Sequence, residues 1–229
     1  SSAFTGYTDF QNKTTILDII IDGENVLEIK AGQSGCIILE SCPFYAEAGG
    51  QIGDSGKITS QNGEFHVHDT QKKGDANLLF GKQISGVLKI NELGHAQIDQ
   101  TKRENIKLNH SATHLLHSAL IKNIGNDVQQ KGSLVSDEKL RFDFSCEKPI
   151  RREVLNLIEA EVNEIIEKNI PAITRVMNKD EAISEGAIAL FGEKYDENVR
   201  VLSFGDVSTE LCGGTHVNNT GDIGVFKIL

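Results

Sequence analysis

The hydrophobic period of this chain changes once, near Asp99, and that change restricts the fold more than any other feature. Before it, apolar residues come in short alternating runs: TTILDIIID (14–22), CIILE (36–40), GKITS (56–60), EFHVHD (64–69) and SGVLKI (85–90), with turn clusters such as IDGEN and SQNGE between them. A period of two puts one face of a strand into a core. Several short strands at close spacing predict a small barrel or a sandwich. After Asp99 the period becomes helical. Residues 100–124 contain no Gly or Pro, Ile106, Ala112, Leu115, Leu116 and Ala119 recur on one side, and Gly125 follows. Beyond it the pattern predicts a strand at 139–144, an amphipathic helix at 151–169 and a strand at 172–177. A short helix capped by Asn178 and Glu181 should follow, then strands at 199–204 and 223–229. The expectation is an α+β chain: a β-rich part over 1–95 and an α+β part over 96–229, divided by a shift in composition.

No apolar run approaches the ~20 residues of a membrane span, and no basic-then-apolar leader opens the chain. Its first residue is Ser1, which reads as an excised or processed piece of a longer protein. The four cysteines, at 36, 42, 146 and 212, show no disulfide-framework spacing and suggest a reducing, cytoplasmic setting. The net charge of -10 argues against indiscriminate nucleic-acid binding. It is unevenly spread: residues 101–152 hold 10 Lys/Arg against 6 Asp/Glu, whereas 1–99 hold 7 against 13 and 153–229 hold 6 against 14.

The chemistry-bearing residues fall into four groups. HSATHLLH sets His110, His114 and His117 within about 60° of one another on a helix. Two His at i, i+4 can share a metal ion. Ser111 stands where the HExxH hydrolases carry Glu, so that chemistry is not expected. About a hundred residues on, LCGGTH offers Cys212 and His216 around two glycines, a borderline-soft pair suited to zinc. The two motifs together supply four N/S ligands, although spacing alone does not choose between the His110–His114 and His114–His117 pairs. His66 and His68 share one face of EFHVHD and read as an exposed strand face. The third group, CPFYAEAGGQIGDSG (42–56), is a glycine-rich turn that matches neither GxxxxGK[ST] nor GxGxxG. The fourth is QQKGSLV (129–135), read as a polar loop, with Arg141 in the LRFDF run that follows.

These pieces together resemble the editing domain of bacterial-type alanyl-tRNA synthetases. The resemblance is carried by FTGY (4–7), FYAEAGGQIGDSG (44–56), NHSATHLLHSAL (109–120), QQKGSLV (129–135), LRFDF (140–144) and CGGTHVNNTGDIG (212–224), in order along nearly the whole chain. It implies an N-terminal β-barrel followed by an α/β zinc-containing editing module. It implies zinc on His110, His114, Cys212 and His216, leaving His117 beside them. It places Gly49, Gly50, Gln51, Gln130, Lys131 and Arg141 along the substrate. Ala48 stands where related sequences often carry a small polar residue, so no hydroxyl is available there.

The implied reaction is hydrolysis of the ester that joins serine or glycine to the acceptor end of tRNA(Ala). A pocket built for alanine rejects an added hydroxyl only ~10²-fold, and a second, hydrolytic site corrects the error. Hydrogen bonding to the serine hydroxyl would give the selectivity, with Gln130 the first candidate, Gln51 the second and Thr215 the third. Lys102, Arg103, Lys107, Arg151 and Arg152 are the candidates for tRNA phosphates. ATP-dependent ligation would belong to the rest of the parent synthetase chain. The alternatives are a free-standing editing protein acting in trans and a non-catalytic zinc module that binds RNA.

Overall fold

The computed structural model describes residues 2–190 and 193–229. Its chain divides into two compact units, Ser1–Ala48 with Ile52–Arg103, and Gly49–Gln51 with Glu104–Leu229.

The first unit is built on six strands: β1 (Gln11–Ile21), β2 (Ser34–Leu39), β3 (Gly56–Thr59), β4 (Gly63–Lys73), β5 (Ala76–Lys89) and β6 (Leu93–Ile98). They pair antiparallel in the order β6-β3-β4-β5-β2-β1, and β1 pairs with β6 again, so the sheet closes into a barrel. Closure leaves these strands without a free edge. The alternation in the sequence is the inside and outside of this barrel. Phe65 and Val67 point into a core with Ile16, Ile37, Ile58 and Leu79, while His66 and His68 face out. Two strands exceed their sequence signals. β5 runs on both sides of Gly81, and β6 hides behind the turn-like LGH, although Ala96 and Ile98 are buried on alternate positions.

Helix α1 (Gln100–Ile124) has the bounds its periodicity predicts. Its first turn counts with the barrel unit, and there Arg103 corrects an expectation. Expected to contact tRNA phosphate, it is 1 % exposed. Its guanidinium pairs with Asp54 and donates to the backbone carbonyls of Gly6 (2.6 Å) and Pro43 (3.1 Å). A buried charge needs such compensation, and Arg103 supplies it to a carboxylate that also accepts from Tyr45 N (2.8 Å).

The second unit continues with β7 (Gln129–Val135), β8 (Leu140–Ser145), α2 (Arg152–Glu167), β9 (Ala172–Asn178), α3 (Lys179–Ser184), β10 (Asn198–Phe204) and β11 (Ser208–Leu211). β7 and β8 form a hairpin, and β9-β10-β11 form an antiparallel sheet. Ile158, Val162, Ile165 and Ile166 of α2 share a core with Leu115, Ala119 and Phe204. Asn178 caps α3, accepting from Asp180 N at 2.9 Å.

Two expectations fail here. QQKGSLV is a strand with a bulge between Gln130 and Gly132, because its partner LRFDF satisfies the backbone that polar residues seemed to leave to solvent. IGVFKIL is not a strand: after a 3-10 turn at Thr220–Ile223, side chains of α2 take its backbone groups. Asn163 accepts from Phe226 N (2.8 Å) and donates to Phe226 O (2.9 Å), and Glu159 accepts from Ile228 N (2.8 Å). Among the described residues no helix is long and apolar enough to cross a membrane.

Truncating Arg103 to Ala should leave Asp54 buried and uncompensated. The expected loss is about 3–5 kcal/mol, read as a lower denaturant midpoint with an unchanged slope, and a loss below about 1 kcal/mol contradicts the ion-pair assignment.

Candidate metal centre

Three successive turns of one helix face carry His110, His114 and His117, all buried. β11 and the loop after it bring Cys212 and His216 to the first two. The ligand atoms of His110, His114, Cys212 and His216 lie within 4.8 Å of one another. Cys212 Sγ is 3.1 Å from His216 Nε2 and 3.6 Å from His110 Nε2. Gly214 makes this approach possible, since a Cβ there would collide with the His110 ring.

The residues behind the cluster fix how the imidazoles point. His110 Nδ1 meets Gln51 Oε1 at 2.7 Å, His114 Nδ1 meets Glu210 Oε2 at 2.7 Å, and His216 Nδ1 meets Ser111 Oγ at 3.0 Å. Each ring thus has its Nδ1 occupied and its Nε2 turned to the shared point, the arrangement that orients metal-binding histidines. His114 Nε2 is buried with no hydrogen-bond partner. A buried imidazole nitrogen left without a partner is costly unless a ligand takes it. With a thiol and three imidazoles at tetrahedral number, the donor set fits zinc.

Electrostatics agree with this fit. Burial pushes the Cys212 thiol up, but His110, His216 and His114 outweigh it and hold the group well below the ordinary thiol range. Burial likewise works against Glu210 ionising, and His114 and His117 overcome it, bringing the carboxyl to about 2. In return Glu210 and Cys212 hold a proton on His114 against burial, to about 10, so ligation there must release a proton. Burial and His110 keep His216 neutral, at about 3.

His117 stays outside the four. Its Nδ1 takes the other oxygen of Glu210 at 2.9 Å and its ring lies against Phe142. Gln51 is fully buried: Oε1 also accepts from Thr215 N (3.0 Å), and Nε2 donates to Thr215 Oγ1 (2.8 Å). Thr215 is buried with it. Gln130 is half-buried and lines a separate cleft of ≈ 240 Å³ with Gly49, Gly50, Lys131, Gly132, Ser133, Leu190 and Glu193. The two places are joined by Gly49–Gln51, which lies beside β7: Val135 N donates to Gly50 O at 2.7 Å. Gly50 has φ +85°, and a Cβ there would collide with Ser133. Arg141 is outside this cleft, exposed and paired with Asp143 at 3.1 Å.

The sequence reading missed Glu210 and the supporting part of Ser111. Glu210 had a signal, since it stands two residues before Cys212 and shares its side of an alternating strand. Ser111 had none, being a common residue beside a ligand.

Two family models match the chain. The model described as tRNA synthetases class II (A) matches residues 1–102. That of the threonyl and alanyl tRNA synthetase second additional domain matches residues 199–229, which include Glu210, Cys212 and His216.

Replacing Cys212 by Ala should abolish stoichiometric zinc, whereas His117→Ala should keep it, as read by elemental analysis. Glu210→Gln should weaken zinc by about 10–100-fold in a chelator competition; wild-type affinity in that variant would mean that Glu210 does not orient His114.

Proposed function

We propose that the chain is a fragment of an alanyl-tRNA synthetase, in keeping with the two family models that match it, and that it hydrolyses the ester of serine, and of glycine, on the acceptor end of tRNA(Ala). The observation that carries the reading is the four-ligand cluster beside a polar cleft, both reached by the one segment Gly49–Gln51.

Zinc held by His110, His114, Cys212 and His216 would supply Lewis acidity near the ester carbonyl or an anchor for the substrate. The chain does the rest. Gln51, Glu210 and Ser111 lock the three imidazoles from behind, so Gln51 acts as a positioning residue and Thr215 as its partner. Cys212 and His216 are half-buried while His110 and His114 are buried, so the cluster is open on its loop side. An open side suits a catalytic role better than a sealed structural one.

Selectivity rests on Gln130. Its amide can donate and accept, so it can satisfy the hydroxyl that distinguishes serine from alanine. With alanine bound, that amide would lose its partner, the costly case in recognition. Lys131, on the same strand, offers a cation to the terminal nucleotides. Serine- and glycine-charged tRNA(Ala) are the two substrates of the proposal, and the cytoplasm, with the remainder of the synthetase chain, is its setting.

The test is hydrolysis of seryl- and alanyl-tRNA(Ala) by the chain, with and without a chelator. Seryl-tRNA should be hydrolysed and alanyl-tRNA spared, with activity lost on chelation. Gln130→Ala should slow seryl-tRNA hydrolysis by about 10-fold or more while zinc content and fold are kept. Unchanged hydrolysis by that variant rejects the role of Gln130.

A further inference from the structure

The barrel carries a charge pattern that its composition conceals. Residues 1–99 have a net charge of -6, from 7 Lys and 13 Asp/Glu. The pairing registers nevertheless line up one row of outward side chains across four strands. Gln97 of β6 stands opposite Lys57 of β3, Lys57 opposite His66 of β4, and His66 opposite Lys82 of β5. Lys57, His66 and Lys82 are exposed and Gln97 is half-buried. In the neighbouring row Lys13 stands opposite His95, and His95 opposite Thr59. Acidic residues lie largely elsewhere, with Asp22, Asp75 and Glu92 in turns. Glu64 is the acid beside the row and is engaged with His66. Among the described residues, Lys57 and Lys82 have no ion pair.

From this registry we propose that the outer face of β3, β4 and β5 binds the ribose–phosphate backbone of tRNA. Neighbouring strands are spaced by ~4.8 Å, so Lys57 and Lys82 stand about 10 Å apart. At that spacing each lysine can reach a different phosphate. The row runs into a hollow of ≈ 330 Å³ that Lys57, His66 and Gln97 line together with the first residues of α1. Asp99 also lines it, with one oxygen committed to capping Lys102 N at 3.0 Å. Amide and ammonium donors on a strip are suited to a polyanion, since phosphate contacts position without reading sequence. A face of this kind lets a chain of net negative charge hold RNA locally.

The proposal rests on the reading of the chain as acting on tRNA, and the experiment separates the two. Binding of uncharged tRNA(Ala) is measured over a range of salt for the 229-residue chain and for Lys57→Glu/Lys82→Glu. The double variant should bind about tenfold or more weaker, with a slope of log affinity against log salt lower by about two. Lys72→Glu/Lys73→Glu, at the tip of the β4–β5 hairpin, serves as the control for net charge and should bind as the unaltered chain does. Hydrolysis of a seryl ester of adenosine, which carries no tRNA backbone, should be equal in all three; this arm reads the hydrolytic site independently of RNA binding. Unchanged affinity and slope in Lys57→Glu/Lys82→Glu overturn the proposal. An equal loss in the control variant does so too, as does an absence of measurable tRNA binding by the unaltered chain at ~50 mM salt.

Discussion

The side-chain amide of Gln51 is the contact on which the metal cluster and its cleft both depend. It sits far in sequence from everything it touches. Its oxygen holds the His110 ring and the Thr215 backbone at once, and its nitrogen holds the Thr215 hydroxyl. The helix and the Cys–His loop are therefore fixed to each other through three hydrogen bonds from one buried residue. The preceding Gly50 lies against β7 and lines the cleft with Gln130. A net gain of ~1 kcal/mol per hydrogen bond understates such a residue, because its loss strands several buried groups together.

Glu210 does for His114 and His117 what Gln51 does for His110, but with a full charge. The buried Glu210 carboxylate favours the protonated form of His114, whereas metal ligation requires that ring neutral. A cation bound at His114 would therefore have to displace the proton that Glu210 and Cys212 favour there. The helix supplies this arrangement through spacing alone. Residues 110, 114 and 117 share a face, and 111 lies at its border, where it reaches the loop at His216 and Val217.

Much of this was legible in the sequence. Period-two runs became the barrel strands, and the uninterrupted stretch from Gln100 became a helix with its bounds intact. The HxxxH and CxxxH motifs stood out by residue type, but spacing left two histidine pairs open, and the choice of His110 with His114 came from the family resemblance. Tertiary pairing decided the remainder. QQKGSLV needs LRFDF to be a strand, and IGVFKIL fails to be one because Asn163 and Glu159 reach its backbone first. Arg103 looked like any surface cation of a basic stretch; only its spatial neighbour Asp54, 49 residues away, makes it a core residue. Gln51 stood out with its glycine-rich turn, but its grip on His110, 59 residues away, is tertiary, and Glu210 was signalled only by its place two residues before Cys212.

The separation of the two ligand pairs has a consequence for synthesis. Cys212 follows His110 by 102 residues. A ribosome adding ~5–20 residues per second needs roughly 5–20 s to pass from one pair to the other. During that interval the helix offers the imidazoles of His110 and His114, while the Cys212 thiol and the His216 ring are not yet made, so the nascent chain has an incomplete donor set. The tetradentate cluster forms only after the sheet strands β9, β10 and β11 exist to deliver Cys212. A metal bound there would be captured late in maturation, and it would close a loop of about a hundred residues at an entropic cost that grows only slowly with loop length.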